Sequence, residues 1–179
     1  QSVEALVYLQ GFARLLRMVL DHSVNDTVGI AEEIDFLRQY LKLEAVRLEG
    51  LHYEVEAEPA LLDDDAELPA LIVQPFVENA IWHGLANKEG ERTLKVRFSK
   101  YGDGLVCTIS DTGVGRAEAA NTAIKDPSHR SLGMQLTSER LRLLSRRMNE
   151  AGSIEVEDLR DGDGGSRGTR VTLRLADIA

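Results

Sequence analysis

Leu71-Ile72-Val73-Gln74-Pro75-Phe76-Val77-Glu78-Asn79-Ala80-Ile81-Trp82-His83-Gly84 is apolar enough for a buried helix, yet it carries an acid, an amide and an imidazole. Asn79 and His83 lie four apart, so a helix puts them on one face. Glu78 stands about 100° round from Asn79. Such groups are poor core residues. At the edge of an apolar helix they suit a site for Mg²⁺ and phosphate. Asn79 offers a hard oxygen ligand, and Glu78 a group that orients or deprotonates a nucleophile. His83 either donates to a phosphate, packs below a flat base, or is a histidine hydrogen-bonded at a helix end. The helix is expected from about Pro69 to Gly84, with Pro75 bending its first turns.

Downstream, Arg92 to Tyr101 and Gly104 to Ser110 read as a hairpin turning at Gly102-Asp103. Asp111-Thr112-Gly113-Val114-Gly115 follows at the strand end. An ionised Asp111 only accepts hydrogen bonds; Asp-x-Gly-x-Gly on its own reads as a turn, and between the first segment and a glycine opening a helix it fits a donor such as the amine of adenine. Gly113 and Gly115 let the chain approach a flat base. Thr112 to Arg130 reads as a mobile loop whose only large apolar residues are Val114 and Ile124. Such a loop has little to bury and is expected to open cheaply and to close over bound phosphate. Ser131-Leu132-Gly133-Met134-Gln135-Leu136 opens a helix running to Met148, and Gly133 at its start suits polyphosphate. His129 and Arg130 are either phosphate contacts or an exposed basic pair. Arg140 either serves likewise or pairs with Glu139 on the surface. Gly152 to Asp158 and Thr169 to Leu175 read as strands joined by a Gly/Asp-rich connector.

Upstream, Leu6, Leu9, Phe12, Ala13, Leu16, Val19 and Leu20 recur at helical spacing, with Gly11 weakening the helix. Asp21 to Gly29 is a polar break, in which Asp26 or Thr27 is placed to cap a second helix. That helix is expected from about Ala31 to Glu49, with Ile34, Leu37, Leu41, Val46 and Leu48 as its apolar positions and Gly50 at its end. The pair is either a satellite hairpin or a partner-facing surface. His52 to Glu58 alternates as a strand. Asp63, Asp64 and Asp65 sit in an acidic connector, read as solvated rather than metal-binding. These strands with interspersed helices imply a two-layer α/β sandwich preceded by a helical segment.

Taken in order, the three polar segments around Glu78-Asn79, Asp111 and Gly133 resemble the N, G1 and G2 boxes of the GHKL ATP-binding fold, the Bergerat fold. The first box, from Leu68 to Gly84, is most similar to sensor histidine kinases of the LytS type. So is Glu33-Ile34-Asp35-Phe36-Leu37-Arg38-Gln39-Tyr40-Leu41-Lys42-Leu43-Glu44. The resemblance runs from about Leu15 to Leu175. It implies ATP and Mg²⁺ as cofactors, with Asn79 as metal ligand and Glu78 as the catalytic acid-base group. The implied nucleotide contacts are Asn79, His83, Asp111, Gly113, Gly115, His129, Arg130, Gly133, Met134 and Thr169. Gly168-Thr169 resembles the Gly-Thr that closes the nucleotide pocket. The family usually has Gly-x-Gly-Leu where this chain has Ser131-Leu132-Gly133-Met134; the change bears on the lid and on affinity more than on the fold.

The resemblance also implies two regions. Residues 1–50 would be the C-terminal part of a dimerisation and phosphotransfer helical region, and residues 51–179 the catalytic domain. A homodimer through the N-terminal helices and a response regulator are the expected partners. The family phosphorylates a histidine in a Pro-His-Phe-like motif. His22, His52, His83 and His129 stand in other contexts, so the acceptor is expected before Gln1. The expected setting is the cytoplasmic part of a membrane-anchored bacterial sensor.

The 179 residues are 43% hydrophobic, enough for a packed core. A net charge of −9 argues against a broad nucleic-acid surface. Cys107 is the single cysteine and reads as a buried thiol. No apolar run reaches the roughly 18 residues of a membrane span. Two further readings stay open: an ATP-driven conformational machine of the same fold, or a nucleotide-binding module without turnover.

Overall fold

The protein is described from a computed structural model, which covers residues 2–63, 66–116 and 152–175. The lid beyond Arg116, the Gly133–Met148 helix and the expectations for His129, Arg130, Ser131, Gly133, Met134 and Arg140 fall outside those residues.

Helix α1 (Ser2–Val24) packs along α2 (Ile30–Arg47). Gly11 marks the crossing: a β-carbon there would stand 3.2 Å from Leu43 Cδ2. Leu15, Met18 and Val19 turn toward the core. Leu6, Leu9, Leu16 and Leu20 remain exposed. Between the helices, β1 (Thr27–Gly29) pairs antiparallel with β3 (Glu67–Pro69). This corrects the capping expectation. Thr27 is held in a ladder, its hydroxyl donating to Glu67, and Gly29 occupies the N-cap without a side-chain bond. The Ile30 N–H donates to Ala66 O at 3.1 Å, so a helix-end donor is satisfied without a capping side chain. Val46 is also exposed rather than buried, while Phe36, Leu37, Tyr40 and Leu41 carry the buried face of α2.

Among the described residues the main sheet has five strands, in the order β2-β4-β5-β7-β6. They are β2 (Leu51–Ala57), β4 (Arg92–Tyr101), β5 (Gly104–Asp111), β6 (Gly152–Arg160) and β7 (Ser166–Leu175). β2 joins the edge parallel to β4; the other pairs are antiparallel. Between β2 and β4 the chain forms α3 (Pro59–Asp63), β3, and the first-box helix. Period-2 alternation selects the buried row. Leu94, Val96 and Phe98 on β4 face Asp111, Ile109 and Cys107 on β5, and the last two face Val171 and Leu173 on β7. These side chains join Phe36, Leu37, Leu41, Phe76, Val77 and Ile81 from the helices in one core, a two-layer α/β sandwich. Buried Cys107 has its thiol pushed up first by burial and then by Glu33.

Candidate active site

Asp111 is the last member of an otherwise apolar row. Leu105, Cys107, Ile109 and Asp111 alternate along β5 with their side chains buried, so the strand's period carries a carboxylate into the core margin. Only 5% of it is exposed. Its Oδ1 accepts the Gly113 N–H at 2.8 Å. The Thr169 backbone N–H, opposite it in the ladder, contributes a second bond. Burial pushes the carboxyl up to about 6, against the lowering effects of Gly113, Thr169 and Lys88.

The first-box segment differs from the long helix expected. Leu71 adopts a left-handed φ of 59°, a conformation costing a non-glycine residue roughly 1–2 kcal/mol. It reverses the chain between β3 and α4 (Gln74–Asn79). Pro75 lies in the first turn of α4, where its missing N–H costs nothing, so it starts the helix instead of bending it. The run then continues as a π-helix, Ala80–Leu85. Wide turns of this kind are frequent at functional sites.

Glu78, Asn79 and His83 all come out half-buried. Glu78 accepts from Gln74 Nε2 at 2.6 Å. Burial lowers the His83 pKa, which favours neutral imidazole.

Two backbones meet above Asp111. Val114 N–H donates to Gly84 O at 3.2 Å. A β-carbon on Gly84 would lie 2.8 Å from Asp111 Oδ1, and one on Gly113 would lie 2.4 Å from the Gly84 carbonyl carbon. Only glycines let these segments close on the carboxylate. Gly115, at φ 81°, leads out of this loop and abuts Ser166. Arg116 then forks onto Asp158 at 2.8 and 2.9 Å, tying the end of this loop to β6.

Thus Asp111, Gly113 and the Thr169 backbone meet directly, while Glu78, Asn79 and His83 line the neighbouring helix. Sequence reasoning missed Gly84 and Lys88. Gly84 closes the very segment first quoted, so a glycine ending that box was the available signal. Gly168, at φ 121°, passes so close to the Asp111 carbonyl that a β-carbon would stand 1.8 Å from it. Lys88 carried no such signal.

The fold and this arrangement define a GHKL-type ATP-binding domain. Residues 64–178 match the family described as histidine kinase-, DNA gyrase B-, and HSP90-like ATPase, and residues 1–51 match the histidine kinase family. The chain belongs to the histidine kinase-type branch of this ATPase family.

Sensor protein LytS of Staphylococcus epidermidis is 28% identical over 117 residues, covering 64% of this chain and 19% of the relative. Sensor histidine kinase BtsS of Escherichia coli K12 is 30% identical over 151 residues, covering 84% of this chain and 24% of the relative. The chain therefore spans only about a fifth to a quarter of these relatives.

Among solved structures, the catalytic domain of histidine kinase ThkA aligns with a TM-score of 0.54 at 14% identity, covering 83% of this chain and 94% of that one. Acinetobacter baumannii histidine kinase AdeS gives 0.54 at 14% identity, covering 98% and 80%. Among the described residues no helix is long and apolar enough to cross a membrane.

Proposed function

We propose that this chain binds Mg-ATP and delivers the γ-phosphoryl group to a histidine on the dimerisation region of a two-component sensor kinase. The observation that carries this reading is the buried Asp111, framed by Gly84 and Gly113 at distances that admit no side chain. Such a cradle fits a flat base whose exocyclic amine donates to the carboxylate. Gly115 and Thr169 border the same pocket in this reading.

Asn79, beside the acid Glu78 at the end of α4, offers the oxygen donor that a hard cation takes. Mg²⁺ held there would neutralise phosphate charge and fix the triphosphate. His83, kept neutral, donates to a phosphate or stacks below the base. Glu78 accepts the N–H proton of the acceptor imidazole as the P–N bond forms and the P–O bond to ADP breaks. Catalysis is then positioning plus charge stabilisation. His129, Arg130, Gly133 and Met134 would contact the phosphates in this reading.

Residues 1–50 serve, in this reading, as the tail of the dimerisation region, and residues 51–179 as the catalytic domain. The exposed Leu6, Leu9, Leu16 and Leu20 supply an apolar stripe for a homodimer. The response regulator is met through the full-length protein, on the cytoplasmic side of a membrane-anchored sensor. Nucleic acid is not a partner in this reading, given the net charge of −9.

The test supplies a histidine-bearing dimerisation helix in trans with γ-labelled ATP. Transfer of label to an acid-labile, alkali-stable linkage is expected. Release of phosphate without transfer would favour the ATPase alternative, and bound ATP without turnover the sensing module.

Metal dependence should rest on Asn79. Asn79→Ala is expected to abolish the Mg²⁺-dependent part of ATP binding with the fold intact, read by calorimetry and circular dichroism. Metal-dependent binding that survives the change would move the ligand elsewhere.

A further inference from the structure

His22 sits in the last turn of α1 and is only 1% exposed. Its ring leans on Phe36 of α2, with centroids 5.0 Å apart. Each ring nitrogen faces a carboxyl group of α2. Nδ1 stands 3.9 Å from Glu33 Oε2, and Nε2 stands 3.8 Å from Glu32 Oε1. Glu33 is fully buried, while more than half of the Glu32 side chain is exposed. Both gaps are too long for a hydrogen bond. Both His22 nitrogens and both Glu33 oxygens lack a hydrogen-bond partner among the described residues. Buried Cys107 of β5 is the titratable group on the sheet side, and it feels Glu33. The Arg14–Asp35 pair, about two turns earlier on α1, is exposed. Four buried polar atoms left unpaired at a helix contact need an explanation.

The supply of donors provides one. A neutral imidazole has one N–H and one acceptor nitrogen, and an ionised carboxylate has no donor. With Glu33 protonated, a small approach of the helices satisfies both gaps. The acid O–H donates to Nδ1, and Nε2–H donates to the Glu32 carboxylate. With Glu33 ionised, the one N–H of a neutral ring serves a single gap. An unscreened negative charge is then left in the core.

We propose that His22 and Glu33 form a proton-dependent clasp that seats α1 on α2 while the Glu33 carboxyl keeps its proton and lets α1 go when that proton leaves. Leu15, Met18 and Val19, which turn toward the core from α1, come away with it. Burial first, then Glu32, pushes the Glu33 carboxyl from 4.5 to about 8. The sign follows: the clasp is complete below about 4.5 and is lost as pH rises through about 8. The hairpin therefore senses alkalinisation.

The experiment uses the full chain with its methionine and isoleucine methyl groups isotope-labelled for NMR. Met18, assigned with a Met18→Leu protein, reports the seating of α1, and buried Ile81 reports the rest of the core. In wild type the ratio of unseated to seated Met18 signal should rise between pH 6 and pH 8, by up to tenfold per unit. The Ile81 signal should stay at its folded position. Glu33→Gln should hold the ratio flat across that range. His22→Phe keeps a ring against Phe36 but removes the acceptor of the acid proton, so its ratio at pH 6 should exceed that of wild type. A wild-type ratio that does not change between pH 6 and pH 8 overturns the proposal without any variant. So does a Glu33→Gln ratio that tracks wild type, or a His22→Phe ratio equal to wild type at pH 6. Ile81 moving together with Met18 would also overturn it, because the whole fold and not the clasp would then be responding.

Discussion

Replacing Asp111 by asparagine is expected to weaken ATP binding roughly ten- to a hundredfold with the fold retained. The side chains have the same shape, so packing in the β5 row persists. What changes is the hydrogen-bonding inventory. The carboxylate offers acceptors only, and one oxygen already takes the Gly113 N–H. Asparagine can keep that bond with its carbonyl oxygen, which turns its amide donor toward the donor amine of adenine. A buried donor–donor mismatch costs on the order of 1–3 kcal/mol.

The wild-type site also carries a pH signature. Its carboxyl is pushed up to about 6, mainly by burial. Adenine recognition wants the ionised form, so affinity should weaken as pH falls through about 6, approaching tenfold per unit. Calorimetry on both proteins across that range checks the pair of expectations. The asparagine variant should show weak binding and lose this pH dependence; near wild-type affinity would remove Asp111 from the adenine site.

The second large effect concerns stability. Glu33→Gln should stabilise the protein at alkaline pH by on the order of 4 kcal/mol and flatten its stability profile. Glu33 is fully buried on α2, and neither carboxylate oxygen has a hydrogen-bond partner among the described residues. His22 Nδ1 lies 3.9 Å from Oε2, Glu32 neighbours it on α2, and Cys107 lies near it on β5. Burial first, then Glu32, pushes the Glu33 carboxyl from 4.5 to about 8. The fold thus prefers the neutral acid. Its stabilising share is complete below about 4.5 and is lost as pH rises through about 8. Glutamine keeps the shape and stays neutral throughout. Urea unfolding of both proteins near pH 5 and near pH 8 should therefore give curves that diverge toward the higher pH. Parallel curves would mean that Glu33 has a counter-charge.

Much of the fold was legible because it follows from short-range periodicity. The Gly102-Asp103 hairpin and the alternation of β4 and β5 place Asp111 without any tertiary knowledge. The first box and the strand before Asp111 likewise pointed to one pocket. What escaped depends on distant partners. Three-residue strands such as β1 and β3 have no pattern of their own, and Thr27 pairs with Pro69 only once the intervening helix and strand are in place. The π-helix is invisible at the level of i, i+4 spacing, since its signature is a bond such as Ala86 N–H to Ile81 O. Gly84 gains meaning only when the side chain of Asp111 stands against it.

The central claim is that this chain holds Mg-ATP through the first-box helix and the Asp111 cradle. Calorimetric titration of the protein with ATP, with and without Mg²⁺ and against GTP, tests it most directly. The account predicts saturable ATP binding that Mg²⁺ tightens, with GTP far weaker. Absent ATP binding, or binding that neither distinguishes GTP nor responds to Mg²⁺, would contradict it.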